Sequence, residues 1–334
     1  MKVALVGLGY WGKIMLPILI AEQFRLGYYI KWVCDHHNEN WRKFQKRNPK
    51  ILFGKDVNDL FRCQKVDVVF ITTQPSSHYS LIVKSLDEGC NVFVEKPFTG
   101  NFKLANDLME LAVSKSLMLM VGYRLLYSPA IQLLKTNYFQ QPSRSQIIVE
   151  AFWKKCGKYQ ELGVHWDLAS HYIAVINYLF GFCGSVVSAK CLSKNSSGVI
   201  EDIKIVLEHG SFLSGIETSW NSSENIKGLN ILIEKRLIKV RHDEEYPLQI
   251  FDALSENVSV TMNTGENLDI QLLKRYHKSE LQENLGIETM IADFFQSIRN
   301  GTEGISEVSN AISVNKTLTR VDQVLKKNII KSHC

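Results

Sequence analysis

The chain lacks any pairing or clustering of its cysteines. The seven cysteines are odd in number, scattered from Cys34 to Cys334, and never spaced as C-x-x-C. This pattern argues against a disulfide framework and against a zinc site. The His36-His37 pair also has no companion ligand at metal spacing. We therefore expect no metal, and a reducing cytoplasm is the simplest setting.

Long apolar runs and dense basic blocks are also missing. No stretch approaches the roughly twenty apolar residues of a membrane span. The glycine-rich segment Gly9 to Lys13 interrupts the apolar N-terminus, and no small-residue cleavage site follows, so a signal peptide is not expected. The net charge of +5 is spread along the chain. We expect a cytoplasmic protein whose partners include neither membrane nor nucleic acid.

The most informative segment lies at the start of the chain. The apolar run Lys2 to Val6 opens into Gly7-Leu8-Gly9-Tyr10-Trp11-Gly12, and a helix-like stretch, Ile14 to Phe24, follows. Glycines in such a turn let the backbone approach a pyrophosphate, and the helix that follows points its N–H groups at the negative charge. The pattern predicts a dinucleotide site.

An acidic residue at the end of the second predicted strand supports this interpretation. Lys31 to Cys34 is β-rich, and Asp35 follows it directly. A carboxylate at this place accepts hydrogen bonds from the two ribose hydroxyls and repels a 2′-phosphate. Asp35 therefore favours NAD over NADP. A tight turn with an unrelated surface acid is the alternative.

Length and pattern predict two domains. With 334 residues, 45% of them hydrophobic, the chain can bury two cores. The first third alternates β-rich and helix-like segments, which is typical of a parallel sheet, whereas later runs joined by Gly, Asn and Ser indicate an antiparallel or mixed sheet. We predict an α/β protein: a Rossmann domain with a doubly wound parallel sheet over residues 1–122, then an α+β domain with a large, open, mostly antiparallel sheet over residues 123–334. The second domain would bind substrate and form oligomers, and the last helix is free to pack back on the first domain.

Lys96 is the first candidate for chemistry. Glu95-Lys96-Pro97 follows the predicted strand Asn91 to Val94, at the carboxyl end where ligands bind in parallel sheets. Proline holds the preceding residue extended, so the ammonium can be aimed into the cleft, where it could bind a substrate hydroxyl and manage its proton. A surface lysine at a strand end is an equally weighted alternative.

Asp167 and His171 form the second candidate pair. They lie four residues apart in Trp166-Asp167-Leu168-Ala169-Ser170-His171, so on a helix they share one face. The carboxylate could orient the imidazole, or each group could reach a different substrate hydroxyl. A histidine packed near a helix end is the structural alternative. Two ligands are too few for a metal.

A third segment, Val121 to Ala130, follows the last predicted parallel strand. Arg124 could bind a phosphate or a carboxylate through two parallel hydrogen bonds, or it could serve as an ordinary interdomain ion-pair partner. Tyr127 is expected to pack rather than to react.

Together these segments resemble the Gfo/Idh/MocA-type oxidoreductases. The resemblance rests on the glycine turn, on Thr72-Thr73 with Pro75 and His78, on Glu95-Lys96-Pro97 and on Asp167 with His171, in this order over nearly the whole chain. It implies NAD as the cofactor. The residues that it places at the cofactor are Gly7, Gly9, Tyr10, Trp11, Gly12, Asp35, Thr72, Thr73, Pro75, His78, Glu95 and Lys96.

More narrowly, Val121–Ala130 and Trp166–Gly181 look like the branch found with polysaccharide and nucleotide-sugar biosynthesis. The chain departs from that branch at three positions: Tyr123 replaces a histidine, Ser170 a proline and Tyr172 an aspartate. The changes at Tyr123 and Tyr172 are expected to alter which sugar hydroxyls are recognised. They are expected to affect the fold and the hydride chemistry less.

The resemblance also implies the activity. Lys96 and His171 would carry proton transfer and substrate orientation, supported by Asp167, and substrate contacts would come from Lys96, Tyr123, Arg124, Asp167 and His171. The expected reaction moves a hydride between NAD and a secondary alcohol or ketone of a sugar, foremost a nucleotide sugar. The alternatives are a free-sugar or inositol dehydrogenase, and a regulator that senses NAD or a sugar without catalysis. A homodimer or homotetramer is expected by resemblance.

Overall fold

A computed structural model describes residues 1–63, 65–139, 147–157, 161–181, 184–242, 244–253, 270–277 and 286–331. Its chain divides into two compact units. The first unit consists of Met1–Arg124 with Ile287–Asn315, and the second of Leu125–Gly286 with Lys316–Cys334. The domain boundary after residue 122 that the sequence suggested stays a prediction.

The strands in chain order are β1 (Lys2–Val6), β2 (Tyr29–Cys34), β3 (Leu52–Gly54), β4 (Val68–Ile71), β5 (Asn91–Glu95), β6 (Leu119–Gly122), β7 (Ile147–Cys156), β8 (Ser185–Lys194), β9 (Ile200–Glu208), β10 (Leu213–Ser219), β11 (Asn221–Ile233), β12 (Arg236–Arg241), β13 (Leu248–Ala253) and β14 (Ile270–Tyr276). The helices are α1 (Tyr10–Glu22), α2 (Arg42–Arg47), α3 (Val57–Cys63), α4 (Pro75–Asp87), α5 (Phe102–Ser114), α6 (Pro129–Asn137), α7 (Ser170–Phe180), α8 (Gly286–Asn300) and α9 (Val308–Lys331).

The first unit is built on a six-stranded parallel sheet in the order β3-β2-β1-β4-β5-β6. Every residue of β4 is buried, as expected for a strand covered on both faces. The predicted doubly wound parallel sheet is confirmed. The order reverses direction between β1 and β4, and ligands of open α/β sheets bind outside the carboxyl ends of the strands at such a point.

Aromatic rings attach α8 to this sheet. Phe70 of β4 and Phe93 of β5 stack at 4.9 Å, and Phe294 of α8 meets them edge-on at 5.6 and 5.7 Å. The neighbouring Phe295 stacks on Tyr28 at 4.1 Å. A segment from near the end of the chain thus completes the core of the first unit.

The edge strand β6 is covered by the chain between α8 and α9. Met120 forms an isolated antiparallel bridge with Glu307, and the Ser306 hydroxyl donates a hydrogen bond to the Val121 carbonyl oxygen. Nearby, the Thr99 hydroxyl lies 3.0 Å from the Asn315 side-chain oxygen. Covering an edge in this way removes a surface on which another strand could pair.

The second unit is built on an eight-stranded sheet in the order β14-β13-β12-β11-β7-β10-β9-β8. Only the pairing of β7 with β10 is parallel among its described ladders. Along β7, Val149, Ala151 and Trp153 are buried and alternate with half-buried residues, so one face of the sheet is packed. The predicted large, mostly antiparallel sheet is confirmed.

Some features that bear on function are absent from the described part of the chain. None of its helices combines the length and the hydropathy needed to cross a bilayer. Its His, Cys, Asp and Glu side chains form no group of three or more suited to a metal ion. Cys34, Cys90, Cys156 and Cys191 are free thiols, whereas Cys183 and Cys334 lie outside the described residues.

Candidate active site

The three glycines of the turn after β1 differ in what a side chain would meet at each position. Gly7 has a φ of +93°, which L side chains rarely adopt. A Cβ on Gly12 would lie 2.1 Å from the Gly7 carbonyl oxygen, so α1 could not pack against the turn with any side chain there. A Cβ on Gly9 would meet nothing within 4 Å. The protein itself therefore leaves space at Gly9, and a phosphate group would use that space.

The N-terminus of α1 is open to an anion. Its N-cap is Gly9, which has no side chain to cap the helix, and its first turn contains no acidic residue. The positive end of the helix dipole therefore favours negative charge at this end. Tyr10 is 69% exposed, and its ring meets that of Trp11 at 5.7 Å. The Arg124 guanidinium lies 5.8 Å from the Trp11 ring centre, which adds positive charge nearby.

Asp35 connects the glycine turn to the end of β2. One carboxylate oxygen accepts a hydrogen bond from the Leu8 backbone N–H at 2.6 Å. The other accepts from the His37 backbone N–H at 2.8 Å and from the Asn40 side chain at 3.1 Å. A carboxylate has about four acceptor positions, so capacity remains for a ribose hydroxyl. Lys13 in turn holds Asn40 through a 2.8 Å hydrogen bond.

The threonines after β4 support the turn. The Thr72 hydroxyl donates to the Gly7 carbonyl oxygen at 2.6 Å, and its backbone N–H donates to the Val6 carbonyl oxygen at 2.9 Å. A Cβ on Gly7 would lie only 2.7 Å from the Thr73 methyl carbon, so Thr73 also restricts this position to glycine. Thr72 is buried, so it acts through the shape of the turn.

His78 joins the loop after β4 to the loop after β5. Pro75 occupies the first turn of α4 and His78 lies one turn further on, fully buried. Its Nδ1 is 3.0 Å from the Pro97 carbonyl oxygen, and its Nε2 is 3.2 Å from the Thr73 carbonyl oxygen. Burial lowers the pKa of the ring. His78 thus holds the loop that carries Lys96.

Glu95 and Lys96 are both buried at the carboxyl end of β5. The peptide bond between Lys96 and Pro97 is cis. Burial raises the pKa of Glu95 to about 7, against the opposing effect of the Lys96 and Arg124 charges. Since β5 lies beside β4, and β4 beside β1, the glycine turn and Lys96 follow strands of one parallel sheet at their carboxyl ends.

Tyr123 and Arg124 follow β6 at the same edge of the sheet. The Tyr123 side chain is buried, which raises the pKa of its hydroxyl, and its backbone N–H donates to the Ser306 hydroxyl at 3.4 Å. Arg124 opens a short 3₁₀ turn over Arg124–Tyr127. Its Nε is buried without a hydrogen-bond partner among the residues the structure describes.

In the second unit, Asp167 and His171 lie where two kinds of helix meet. A π-helical turn over His165–Ala169 continues into α7, and such turns are frequent at functional sites. The Asp167 carboxylate accepts a hydrogen bond from the Trp220 indole N–H at 3.2 Å. The His171 ring lies 5.3 Å from the Trp153 ring, and both Asp167 and His171 are buried.

The comparisons with known proteins agree with this geometry. Residues 1–123 match the family model GFO_IDH_MocA, described as an oxidoreductase family with an NAD-binding Rossmann fold. The N-terminal part of the chain is a Gfo/Idh/MocA NAD-binding domain. The expected cofactor class and the resemblance are thereby confirmed. The turn at Gly9, the N-terminus of α1 and Asp35 are the features of this domain that fit a dinucleotide.

Individual relatives support the same assignment. The chain is 39% identical over 71 residues to putative oxidoreductase YceM of Salmonella typhimurium, a match that covers 21% of this chain and 23% of that protein. UDP-N-acetylglucosamine 3-dehydrogenase GnnA of Acidithiobacillus ferrooxidans has a similar structure, with a TM-score of 0.78, 18% identity and 97% of both chains covered. The structure of a levoglucosan dehydrogenase in complex with NADH and L-sorbose is also similar, with a TM-score of 0.81 and 15% sequence identity. The match covers 98% of this chain and 97% of that one. At these identities the two structures establish the fold.

The departures from the family's nucleotide-sugar branch have local explanations in two places. The Ser170 hydroxyl, where a proline is usual, donates to the Asp167 carbonyl oxygen at 3.2 Å. Tyr172, where an aspartate is usual, is fully buried with its ring 6.3 Å from that of Trp153. Ser170 thus adds a hydrogen bond to the π-helical turn, and Tyr172 contributes a buried aromatic ring beside it.

Sequence reasoning missed the contacts that fix this turn. His165 Nε2 lies 2.9 Å from one carboxylate oxygen of Asp322 on α9, and the Trp166 indole N–H donates to the other at 3.1 Å. Asp322 is 157 residues away from His165, so no local pattern points to the pair. The buried histidine directly before Trp166-Asp167 was the one available signal. The roles predicted for the individual site residues stay predictions.

We predict that Gly9→Ala leaves the fold intact and weakens NADH binding by about tenfold or more, because the methyl group enters the space left at the turn. Thermal unfolding and titration of NADH by fluorescence energy transfer measure both effects. Gly215→Ala is the matched control, since a Cβ there also meets nothing within 4 Å. Unchanged NADH affinity in Gly9→Ala would remove the glycine turn from the cofactor site.

We predict that Glu95 makes stability fall as the pH rises. The folded carboxyl has a pKa of about 7 against 4.5 for the ordinary group, so between these values the folded state holds a proton that the unfolded state has lost. Relative to Glu95→Gln, the wild-type free energy of unfolding should therefore drop by about 3 kcal/mol between about pH 4 and about pH 8. Urea unfolding at several pH values measures this, with the exposed Glu88→Gln as control. Parallel wild-type and Glu95→Gln profiles would contradict the prediction.

Proposed function

We propose that the protein is an NAD-dependent dehydrogenase or reductase that acts on a secondary alcohol or ketone of a sugar, foremost a nucleotide sugar. The observation that carries the proposal is the shared sheet edge in the first unit. The open glycine turn after β1 and the buried Lys96 after β5 both follow strands of one parallel sheet. A cofactor site and an ammonium able to handle a proton are what such a reaction requires.

The choice of a sugar rests on two supports. Trp166 to His171 resembles the segment of the family's nucleotide-sugar branch, and GnnA, similar in fold, is a UDP-N-acetylglucosamine 3-dehydrogenase. The levoglucosan dehydrogenase structure with L-sorbose supports the free-sugar alternative, since that protein has the same fold. A nucleotide-sugar dehydrogenase and a free-sugar dehydrogenase therefore differ in whether the substrate carries a nucleotide. Both would transfer a hydride between a sugar carbon and NAD.

The residues divide the work as follows. Lys96 binds the substrate hydroxyl and shares its proton, and His171 removes the proton when the alcohol is oxidised or returns it when the ketone is reduced. Asp167 accepts a hydrogen bond from the Trp220 indole and supports the start of α7, the helix that carries His171. Bound NAD supplies the acceptor for the hydride that leaves the carbon. In this proposal Tyr123 and Arg124 contact the substrate. Thr73, Pro75 and Glu95 contact the cofactor.

We also propose that the protein works in the cytoplasm as a homodimer or homotetramer. The unpaired cysteines fit a reducing compartment, and assembly through the second sheet is implied by the family resemblance. Light scattering of the purified protein measures the assembly, and a monomer at working concentration would contradict that part.

The function is tested by mixing the protein with NAD and a panel of free sugars, inositol and UDP-, GDP- and dTDP-sugars, and following NADH absorbance. Formation of NADH with a nucleotide sugar supports the proposal, and formation with the free sugar alone selects the alternative. The panel is repeated with an added ketone acceptor, because a tightly bound NADH would otherwise hide turnover. Silence under both conditions would favour the non-catalytic regulator.

We predict that Lys96→Ala and His171→Ala each lower turnover by about a hundredfold or more, because proton transfer by a placed side chain contributes on that scale. NADH affinity should change little in His171→Ala, since His171 belongs to the second unit. Lys103→Ala, an exposed lysine at the start of α5, is the matched control and should match the wild type. Undiminished turnover in either variant would remove that residue from the mechanism.

A further inference from the structure

Asp322 of α9 contacts two consecutive side chains of the π-helical turn, and all three residues belong to the second unit. One carboxylate oxygen lies 2.9 Å from His165 Nε2, and the other accepts a hydrogen bond from the Trp166 indole N–H at 3.1 Å. A carboxylate only accepts hydrogen bonds, so His165 Nε2 carries the proton of the bond to Asp322. Hydrogen bonds to a charged group are about twice as strong as those between neutral groups. One carboxylate therefore fixes the orientation of both rings.

The His165 ring is also packed against Gly163. A Cβ on Gly163 would lie 2.8 Å from His165 Cε1 and 2.9 Å from its Nδ1, so a side chain there would displace the ring. The ring is buried, and its Nδ1 has no hydrogen-bond partner among the residues that the structure describes. Within that part of the chain, the hydrogen bond that orients the ring is the one to Asp322.

The turn that Asp322 holds leads directly to the groups assigned to the substrate. Asp167 follows Trp166 within the turn, and His171 is the second residue of α7, which continues the turn without a break. A shift of the turn would therefore move the Asp167 carboxylate and the His171 imidazole. In enzymes, a displacement of a reacting group by about 1 Å can lower the rate about a hundredfold.

We propose that Asp322 is a positioning residue of the active site, which fixes the π-helical turn so that Asp167 and His171 meet the substrate in the geometry that proton transfer requires. The inference rests on the proposed function, and it adds a residue that lies 157 positions from His165 in the sequence. Asp322 acts through His165 and Trp166 rather than on the substrate itself.

Asp322→Asn tests this role with little change in shape. The amide oxygen can accept from one of the two rings, and the amide NH₂ group then faces the other, so the turn should loosen. We expect kcat with the substrate found in the sugar panel to fall about tenfold to a hundredfold. The Kd for NADH should stay within about twofold, because the glycine turn belongs to the first unit. Hydrogen–deuterium exchange should become faster in the π-helical turn and stay unchanged in β9 and β10.

Further variants separate positioning from a loss of the fold. His165→Gln keeps an N–H donor for Asp322 and should retain most of the kcat, whereas His165→Leu removes the donor and should lose activity as Asp322→Asn does. Arg320→Gln is the matched control, because it removes a charge at an exposed position of the same helix, and it should behave like the wild type in both measurements. Thermal unfolding establishes that each variant is folded.

The outcomes distinguish this inference from the proposed function. Unchanged hydrogen exchange in Asp322→Asn would overturn the positioning role, and so would faster exchange with an unchanged kcat. An equal loss of kcat in His165→Gln and His165→Leu would also contradict it. Silence of the wild type with every sugar would overturn the proposed function together with the catalytic consequence of this inference, and hydrogen exchange would still decide whether Asp322 holds the turn.

Discussion

The close approach of α1 to the end of β1 is the constraint on which the candidate site depends. A Cβ on Gly12 would lie 2.1 Å from the Gly7 carbonyl oxygen, so only glycine permits this packing. The same carbonyl oxygen accepts a hydrogen bond from the Thr72 hydroxyl, and the Leu8 N–H of the turn donates one to the Asp35 carboxylate. The turn, the strand beside it and the acid after β2 therefore form one connected support for a dinucleotide.

The two units hold different candidate groups. The first unit supplies the dinucleotide support and a buried Glu95-Lys96 pair in which burial and charge act against each other. The second unit holds His171 in the first turn of α7, shortly after the π-helical turn, with Trp153 beside it. Trp220 and Asp322 hold that turn through Asp167, His165 and Trp166. In each unit, hydrogen bonds connect the candidate groups to neighbouring elements.

Local patterns predicted the parallel sheet because its strands are continuous apolar runs separated by helices. Local patterns did not predict β3, which has only three residues. They also did not predict β12, β13 and β14, in which charged and apolar residues follow one another without a clear run. The glycine turn, Asp35 and Lys96 were readable because their spacing is local. The Asp322 contacts could not be predicted in this way, since they join residues that are distant in sequence.

The glycine turn and Asp35 are expected to hold NAD in preference to NADP. Titration of the purified protein with NADH and with NADPH, at one pH and one salt concentration, compares the two affinities. NADH should bind at least about tenfold more tightly, because the Asp35 carboxylate repels a 2′-phosphate. Tighter binding of NADPH, or binding of neither dinucleotide, would contradict it.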